Sequence, residues 1–230
     1  MSTLPNIEGK SIQEAIEQLC REFPGQVVFT TSFGYEDQVI TDIICTNQLP
    51  VEIVTLDTGR LFEETYKVFS RTIEKYKIDI KTYHPEAVDV ENILSKKGPF
   101  SFYESVENRK ECCFVRKVKP LKLALSGHKV WITGLRAEQS SNRESMAAIE
   151  WDEGFQLFKY NPLYNWTLND VTQYIKEKHV PYNVLHDRGF VSIGCAPCTR
   201  AIQAGDDFRA GRWWWESDSK KECGLHTHDS

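Results

Sequence analysis

The chain has 230 residues, a formal net charge of −5 and seven cysteines. That length suits one α/β domain with a substantial core and would leave two domains cramped. The acidic balance does not predict a nucleic-acid binder, and no stretch approaches the roughly 18 consecutive apolar residues of a membrane span.

The opening "MSTLPNIEGKS" has no basic region followed by an apolar one, so no signal peptide is read and the cytoplasm is the expected compartment. Thiols stay reduced there, and the cysteines need a role other than a disulfide framework. In "SIQEAIEQLCREF", Ile12, Ile16, Leu19 and Phe23 recur at helical spacing, and Pro24-Gly25 stops the helix. "VVFTTSF" is a short β-branched and aromatic run closed by Gly34. "EDQVITDIICTNQ" reads as a helix, "VEIVTLDTG" as a buried strand, "LFEETYKVFSRTIEKY" as a helix and "IDIKTYHP" as extended. A leading helix followed by β-α-β-α-β predicts a parallel sheet with helices on its faces. "VRKVKPLKLALSG" is basic and helical around Pro120, and "KVWITGLRAEQS" is a fourth strand running into an arginine-bearing loop. "FQLFKYNPLYNW" is extended and broken by Pro162. "TLNDVTQYIKEKHV" is a helix capped by Thr167, with Asp170 three residues on and Pro181 as its stop. From "PYNVLHDRGF" onward there is little periodicity, which predicts loops and short helices wrapped on the sheet.

Four motifs carry chemistry. In "TTSFGYED" a strand ends, a glycine permits a tight turn and a helix begins, so free N–H groups and the positive helix end can meet a phosphate or sulfate. A lone glycine in such a turn is also commonplace, and neither a Walker lysine nor GxGxxG is present. The second strand ends in "LDTGR", and ligands of open parallel sheets bind beyond the carboxyl ends of strands. The second motif is the cysteine set, "ECCFVRK" with Cys112 and Cys113, and "IGCAPC" with Cys195 and Cys198. Adjacent Cα atoms lie about 3.8 Å apart, shorter than the disulfide range of about 4.4–6.8 Å, which disfavours a Cys112–Cys113 bond. Two thiol pairs separated by a long gap read as a four-thiolate metal site, zinc or iron–sulfur. Adjacent ligands suit different irons of a [4Fe–4S] cluster better than one tetrahedral zinc, and a thioredoxin-type redox CxxC stands as the alternative. Cys20 and Cys45 lie on apolar helix faces and read as small core residues.

The third motif is basic: Arg116 and Lys117 after the cysteine pair, Arg136 and Arg143 in or near "GLRAEQSSNR", and Arg209 and Arg212 in "FRAGRWWWE". Gathered around glycine-bearing loops of an acidic chain, these point to an anion site. The three tryptophans 213–215 cannot all point one way; they can cover core, dock the tail or meet a partner. The fourth is the terminal "KKECGLHTHDS", where Cys223 stands among Lys220, Lys221, His226 and His228. Termini of this composition are usually mobile, and nearby cations lower a thiol's pKa.

Together "CCFVRKVKPL", "WITGLRAEQS", "SIGCAPCT", "GRWWWE" and "ECGLH", with "SFGYED" and "LDTGRLFEETY", resemble the assimilatory adenylyl-sulfate reductases of the phosphoadenylyl-sulfate reductase family. The match runs in one order from about residue 27 to residue 226. The resemblance implies a doubly wound, mostly parallel α/β sheet of the Rossmann-like, adenine-nucleotide α-hydrolase kind. It implies one domain over residues 1–215 and a mobile tail over 216–230. It implies a [4Fe–4S] cluster on Cys112, Cys113, Cys195 and Cys198, and Cys223 as the nucleophile that attacks the sulfur of adenosine 5′-phosphosulfate. AMP leaves, and a thioredoxin or glutaredoxin thiol releases sulfite from the S-sulfocysteine. Lys117, Arg209, Arg212 and His226 would surround the sulfate and phosphate. Thr31, Ser32, Phe33, Gly34, Leu56, Thr58, Gly134 and Arg136 would hold the nucleotide, with Asp37 and Arg143 beside them.

One departure separates this chain from ATP pyrophosphatases of the same fold, whose loop is of the SGGxDS kind: Phe33 stands where such a loop has glycine. Three alternatives stay open. They are reduction of the 3′-phosphorylated nucleotide, alone or as a second substrate; ATP-dependent tRNA thiolation; and a non-catalytic metal-binding module. The sequence leaves the oligomeric state open, a homo-oligomer included.

Overall fold

The computed structural model of the chain describes residues 4–139, 146–203 and 205–216. Helix α1 (Ile12–Glu22) begins where Ser11 accepts from the Glu14 N–H and Glu14 accepts from the Ser11 N–H, a reciprocal cap. Its stripe of Ala15, Ile16, Leu19 and Cys20 is buried. Strand β1 (Val27–Thr31) is buried on both faces, as the centre of a parallel sheet requires. Helix α2 (Tyr35–Thr46), strand β2 (Glu52–Leu56), helix α3 (Glu63–Tyr76) and the short strand β3 (Lys81–Tyr83) follow in the expected alternation.

Next come α4 (Ala87–Lys97) and α5 (Val106–Cys113), which continues through a π-turn at Phe114–Val118 into α6 (Lys119–Leu125). Strand β4 (Val130–Ile132) precedes a hairpin of β5 (Ile149–Asp152) and β6 (Leu157–Tyr160), and α7 (Leu168–Glu177) closes the set. Thr167 caps α7 and Asp170 returns the bond, so the spacing seen in the sequence forms the full capping box.

The sheet order is β3-β2-β1-β4-β6-β5. Five strands are parallel, and β5 joins the edge antiparallel to β6 with Ile149 opposite Tyr160. The period-two alternation of β1 feeds two cores. Val27 and Phe29 pack with the apolar faces of α1, α2 and α7. Val28 joins Val54, Trp131, Leu157 and Leu121 of α6 on the opposite face. This is the doubly wound, mostly parallel single domain that the resemblance implied. Three elements went unanticipated: α4, which buries none of its residues, α5, and the four-residue edge strand β5.

Asp42 fastens one helical layer. Buried within α2, it accepts hydrogen bonds from Tyr76 Oη of α3 at 2.6 Å and Tyr174 Oη of α7 at 2.9 Å. Lys75 Nζ lies 3.6 Å from it and supplies the countercharge. Burial, reinforced by these bonds, pushes both phenols up, so they remain donors. Asp42→Ala strands two phenols and removes the countercharge of Lys75, and should lower stability by about 3 kcal/mol. Urea unfolding measures this; a loss below about 1 kcal/mol would show that the three helices do not depend on the carboxylate.

Candidate active site

Chain order reverses at β1, with β2 on one side and β4 on the other. The carboxyl ends of β1 and β4 therefore part at a crevice, where open α/β sheets bind ligands. Thr31–Gly34 leads from β1 into α2, and Thr133-Gly134 leaves β4. Phe33 takes a left-handed backbone, φ +60°, which is uncommon for a bulky residue. Its ring is buried and stacks on Phe69 with centroids 4.8 Å apart, which holds the turn in place. Gly34 caps α2 without a side-chain bond, leaving N–H groups of the first turn to a ligand.

Asp37 stiffens the same turn by accepting from the Ser32 N–H at 2.6 Å and from Ser32 Oγ at 2.7 Å. Burial pushes its carboxyl up to about 6, against the pull of those two bonds. Gly134 is required here, because a Cβ at 134 would collide with the Asp37 carboxylate.

A cavity of about 220 Å³ opens at this crevice. Thr31, Ser32, Phe33, Gly34 and Asp37 line it from the first turn, Leu56 and Thr58 from the end of β2, and Gly134 from β4. Lys117, Arg209 and Arg212 line the same cavity. Arg136 does not. Its side chain is fully buried behind the wall, with Nε 2.7 Å from Glu36 and Nη1 2.6 Å from Glu138. Its charge is spent on joining the start of α2 to the loop after β4. Arg143, Cys223 and His226 lie outside the described residues.

Residues not singled out in the sequence also line the cavity. Trp131 donates from Nε1 to Thr30 Oγ1 at 2.8 Å. His186 stacks on Tyr35 at 3.8 Å and donates from Nδ1 to the Phe190 carbonyl at 2.7 Å. Both stood in stretches read only as strand and loop, where one-dimensional pattern does not say which ring faces a ligand.

The four paired cysteines line one small cavity of about 10 Å³ together with Arg60, Arg109, Arg116 and Lys117. Cys112 and Cys113 end α5, and Cys195 and Cys198 bracket a 3₁₀ turn at Ala196–Cys198. Burial and the neighbouring thiols Cys195 and Cys113 push Cys198 up to about 12. Burial also raises Cys112, against the pull of Arg60 and Arg116. Among the described residues no three His, Cys, Asp or Glu side chains form a single-ion metal site. Four sulfur donors walled by four cations do fit a larger anionic group bound through thiolates. The two cavities meet at Cys195, which lines both and lies 3.3 Å from Thr58 Oγ1. Arg116 Nη1 donates to the Thr58 carbonyl at 2.6 Å.

Trp213 organises the cations. Its buried ring carries the guanidinium carbons of Arg109 at 4.5 Å, Arg212 at 4.9 Å and Arg209 at 5.6 Å from its centroid. Arg212 Nη1 donates to Ser192 Oγ at 3.3 Å, while its Nε is buried without a hydrogen-bond partner among the described residues. Gly194 makes room for this guanidinium, with which a Cβ at 194 would collide. A cation whose donors meet only a hydroxyl among the described residues, on the wall of a cavity at a strand end, is suited to an anionic ligand.

Comparison with known proteins agrees with this geometry. The sequence model described as "Phosphoadenosine phosphosulfate reductase domain" matches residues 26–201. The adenosine 5′-phosphosulfate reductase of Allochromatium vinosum is 49% identical over 227 residues, 99% of this chain and 88% of that protein. The adenosine 5′-phosphosulfate reductase of Agrobacterium fabrum is 52% identical over 202 residues, 88% of this chain and 78% of that protein. Among solved structures, the phosphoadenylyl-sulfate reductase of Candida auris, a phosphate complex, superposes with a TM-score of 0.71 at 31% identity, over 84% of this chain and 91% of that one. The FMN adenylyltransferase of Candida glabrata shares the fold at 14% identity, with a TM-score of 0.56 over 96% of this chain and 80% of that one. With the family's sequence model spanning both the strand-end turn and the second cysteine pair, the chain belongs to the phosphoadenosine phosphosulfate reductase domain family.

Proposed function

We propose that this chain reduces adenosine 5′-phosphosulfate to sulfite and AMP in assimilatory sulfate reduction. One observation carries the reading: a single strand-end cavity is walled by the turn Thr31–Gly34, by Lys117, Arg209 and Arg212, and by Cys195 of the thiol set. Relatives named adenosine 5′-phosphosulfate reductase at about half identity across the chain support it.

The turn and the first N–H groups of α2 hold the nucleotide, and Leu56 and Thr58 face it from β2. Lys117, Arg209 and Arg212 take the phosphate and sulfate oxygens. The Cys223 thiolate attacks sulfur, its lone pair forms the S–S bond, and the S–O bond to AMP breaks with its electron pair on the phosphate. Fixed cations stabilise the charge that grows there and lower the pKa of an approaching thiol. His226 stands three residues beyond Cys223 and joins the same anion site. A thioredoxin or glutaredoxin thiolate then attacks the Cys223 sulfur and sulfite leaves. Its second thiol resolves the mixed disulfide, so the partner's two thiols supply both electrons. Cys112, Cys113, Cys195 and Cys198 hold a [4Fe–4S] cluster, which supplies fixed charge beside the cavity. The reaction takes place in the cytoplasm, with residues 1–215 as the nucleotide-binding body and 216–230 as the arm that carries the nucleophile, its first residue Glu216 held to the body by Arg109.

The 3′-phosphorylated nucleotide is the runner-up substrate, favoured by the structural similarity to the Candida auris enzyme. Against it, Arg136 is committed to Glu36 and Glu138 and offers no charge to a 3′-phosphate. The ratio of kcat/KM for the two nucleotides decides, and a ratio favouring the 3′-phosphorylated form would reverse the assignment.

Cys223→Ser should cut sulfite release by on the order of 10³-fold or more while leaving iron content unchanged. A thioredoxin-coupled sulfite assay reads this, and turnover near the parent rate would remove Cys223 from the mechanism. Cys198→Ser should lose iron and activity together in anaerobically purified protein. Metal analysis that finds zinc and no iron in the parent chain would overturn the cluster.

A further inference from the structure

His186 reaches the strand-end cavity from a short 3₁₀ turn, His186–Arg188, after α7. One face of its ring lies on Tyr35, with centroids 3.8 Å apart and planes 11° from parallel. Its Nδ1 stands 2.7 Å from the Phe190 carbonyl, which can only accept, so the ring hydrogen sits on Nδ1. The other nitrogen, Nε2, is buried and has no hydrogen-bond partner among the described residues. Burial holds the imidazole below its ordinary pKa, against the pull of Glu36, the Phe190 bond and Asp187. Neutral, with its hydrogen on Nδ1, the ring presents a lone pair at Nε2.

A buried acceptor left unmatched costs about 1–3 kcal/mol. The fold nonetheless fixes this ring closely. Gly189, at φ +83°, turns the chain between His186 and Phe190. Tyr182 donates to Asp187 at 3.0 Å, and its ring meets Tyr35 at 5.5 Å, so the stack under His186 is itself held. A lone pair oriented in this way, on the wall of a cavity, is matched when a ligand brings a donor. A phosphosulfate cannot be that donor, because its oxygens only accept. Lys117, Arg209 and Arg212 line the same cavity and suit that anionic end. The donors of adenosine 5′-phosphosulfate are the adenine amine and the two ribose hydroxyls, and all of them lie on the nucleoside half.

We propose that His186 is a specificity-determining residue of the nucleotide site: its Nε2 accepts a hydrogen bond from the nucleoside half of the ligand, from the adenine amine or a ribose hydroxyl. This rests on the reading of the cavity as an adenine-nucleotide site and names the group that reads the end of the ligand remote from the sulfur.

The test uses the full chain and two variants. His186→Phe keeps a ring for Tyr35 and loses the acceptor, whereas His186→Gln loses the ring and offers an amide oxygen in place of Nε2. Calorimetry measures the binding of AMP, purine riboside 5′-monophosphate, 2′-deoxy-AMP and 3′-deoxy-AMP, the last three each lacking one donor. The parent should bind one of the three about tenfold more weakly than AMP, and which one it is names the bonded group. His186→Phe should bind AMP about tenfold more weakly and lose that preference, the two ligands falling within about twofold of each other. His186→Gln should keep the preference. A parent that discriminates against none of the three analogues overturns the proposal. So does AMP affinity in His186→Phe equal to the parent's. A weakened His186→Phe that retains the preference also overturns it, and marks the ring as packing alone. If His186→Phe does not fold, His186→Gln decides, and loss of the preference there overturns the proposal. A parent chain that binds no AMP at all overturns the functional reading itself, a result visible without any variant.

Discussion

A buried cation needs an anion, and the way this chain meets that need divides its interior. Arg136 is matched by Glu36 and Glu138, Arg109 by Glu216, and Lys159 by Glu150 at 3.5 Å. These three pairs tie elements together, and none of their cations lines the strand-end cavity. Arg116 and Arg212 are equally buried but, among the described residues, meet no carboxylate: Arg116 donates to the Thr58 carbonyl and Arg212 to Ser192 Oγ. An uncompensated charge costs too much to bury without return. Among the described residues, the two left without a carboxylate border the thiol cavity and the strand-end cavity respectively. Both stand where an anion bound in one of those cavities would complete them.

The same two cavities are mechanically joined. Thr58 faces the nucleotide cavity, touches Cys195 with its hydroxyl and accepts from Arg116 with its carbonyl. Lys117 and Cys195 each line both spaces. A group bound by the four sulfurs would lie one layer of side chains from a ligand in the strand-end cavity.

The sheet was legible because its strands and helices carry strong periods. β1 with its β-branched and aromatic run, α1 with its stripe and α7 with its capping box all read directly from residue type and spacing. α5 did not, since "VENRKECC" has no apolar stripe and only Arg109 is buried from it. α4 has no buried face to generate a pattern, and β5 is too short to announce itself. At the site, residue type located the turn, the cysteines and the cations. It misplaced the role of Arg136, because pairing with a glutamate 100 positions earlier leaves no trace in local sequence. The triple-arginine platform of Trp213 was hidden for the same reason. Arg109 comes from a distant helix, and only the folded chain brings it over the indole.

Gly194 bears on how this sequence can change. A glycine codon cannot mutate to any other amino acid without adding a side-chain carbon, and at 194 that carbon meets the Arg212 guanidinium. Arg212 is long and can swing aside, so the backbone need not yield. A substitution there thus acts on the cavity wall and not on the sheet: it displaces a buried cation while the strands and helices that frame the crevice keep their packing.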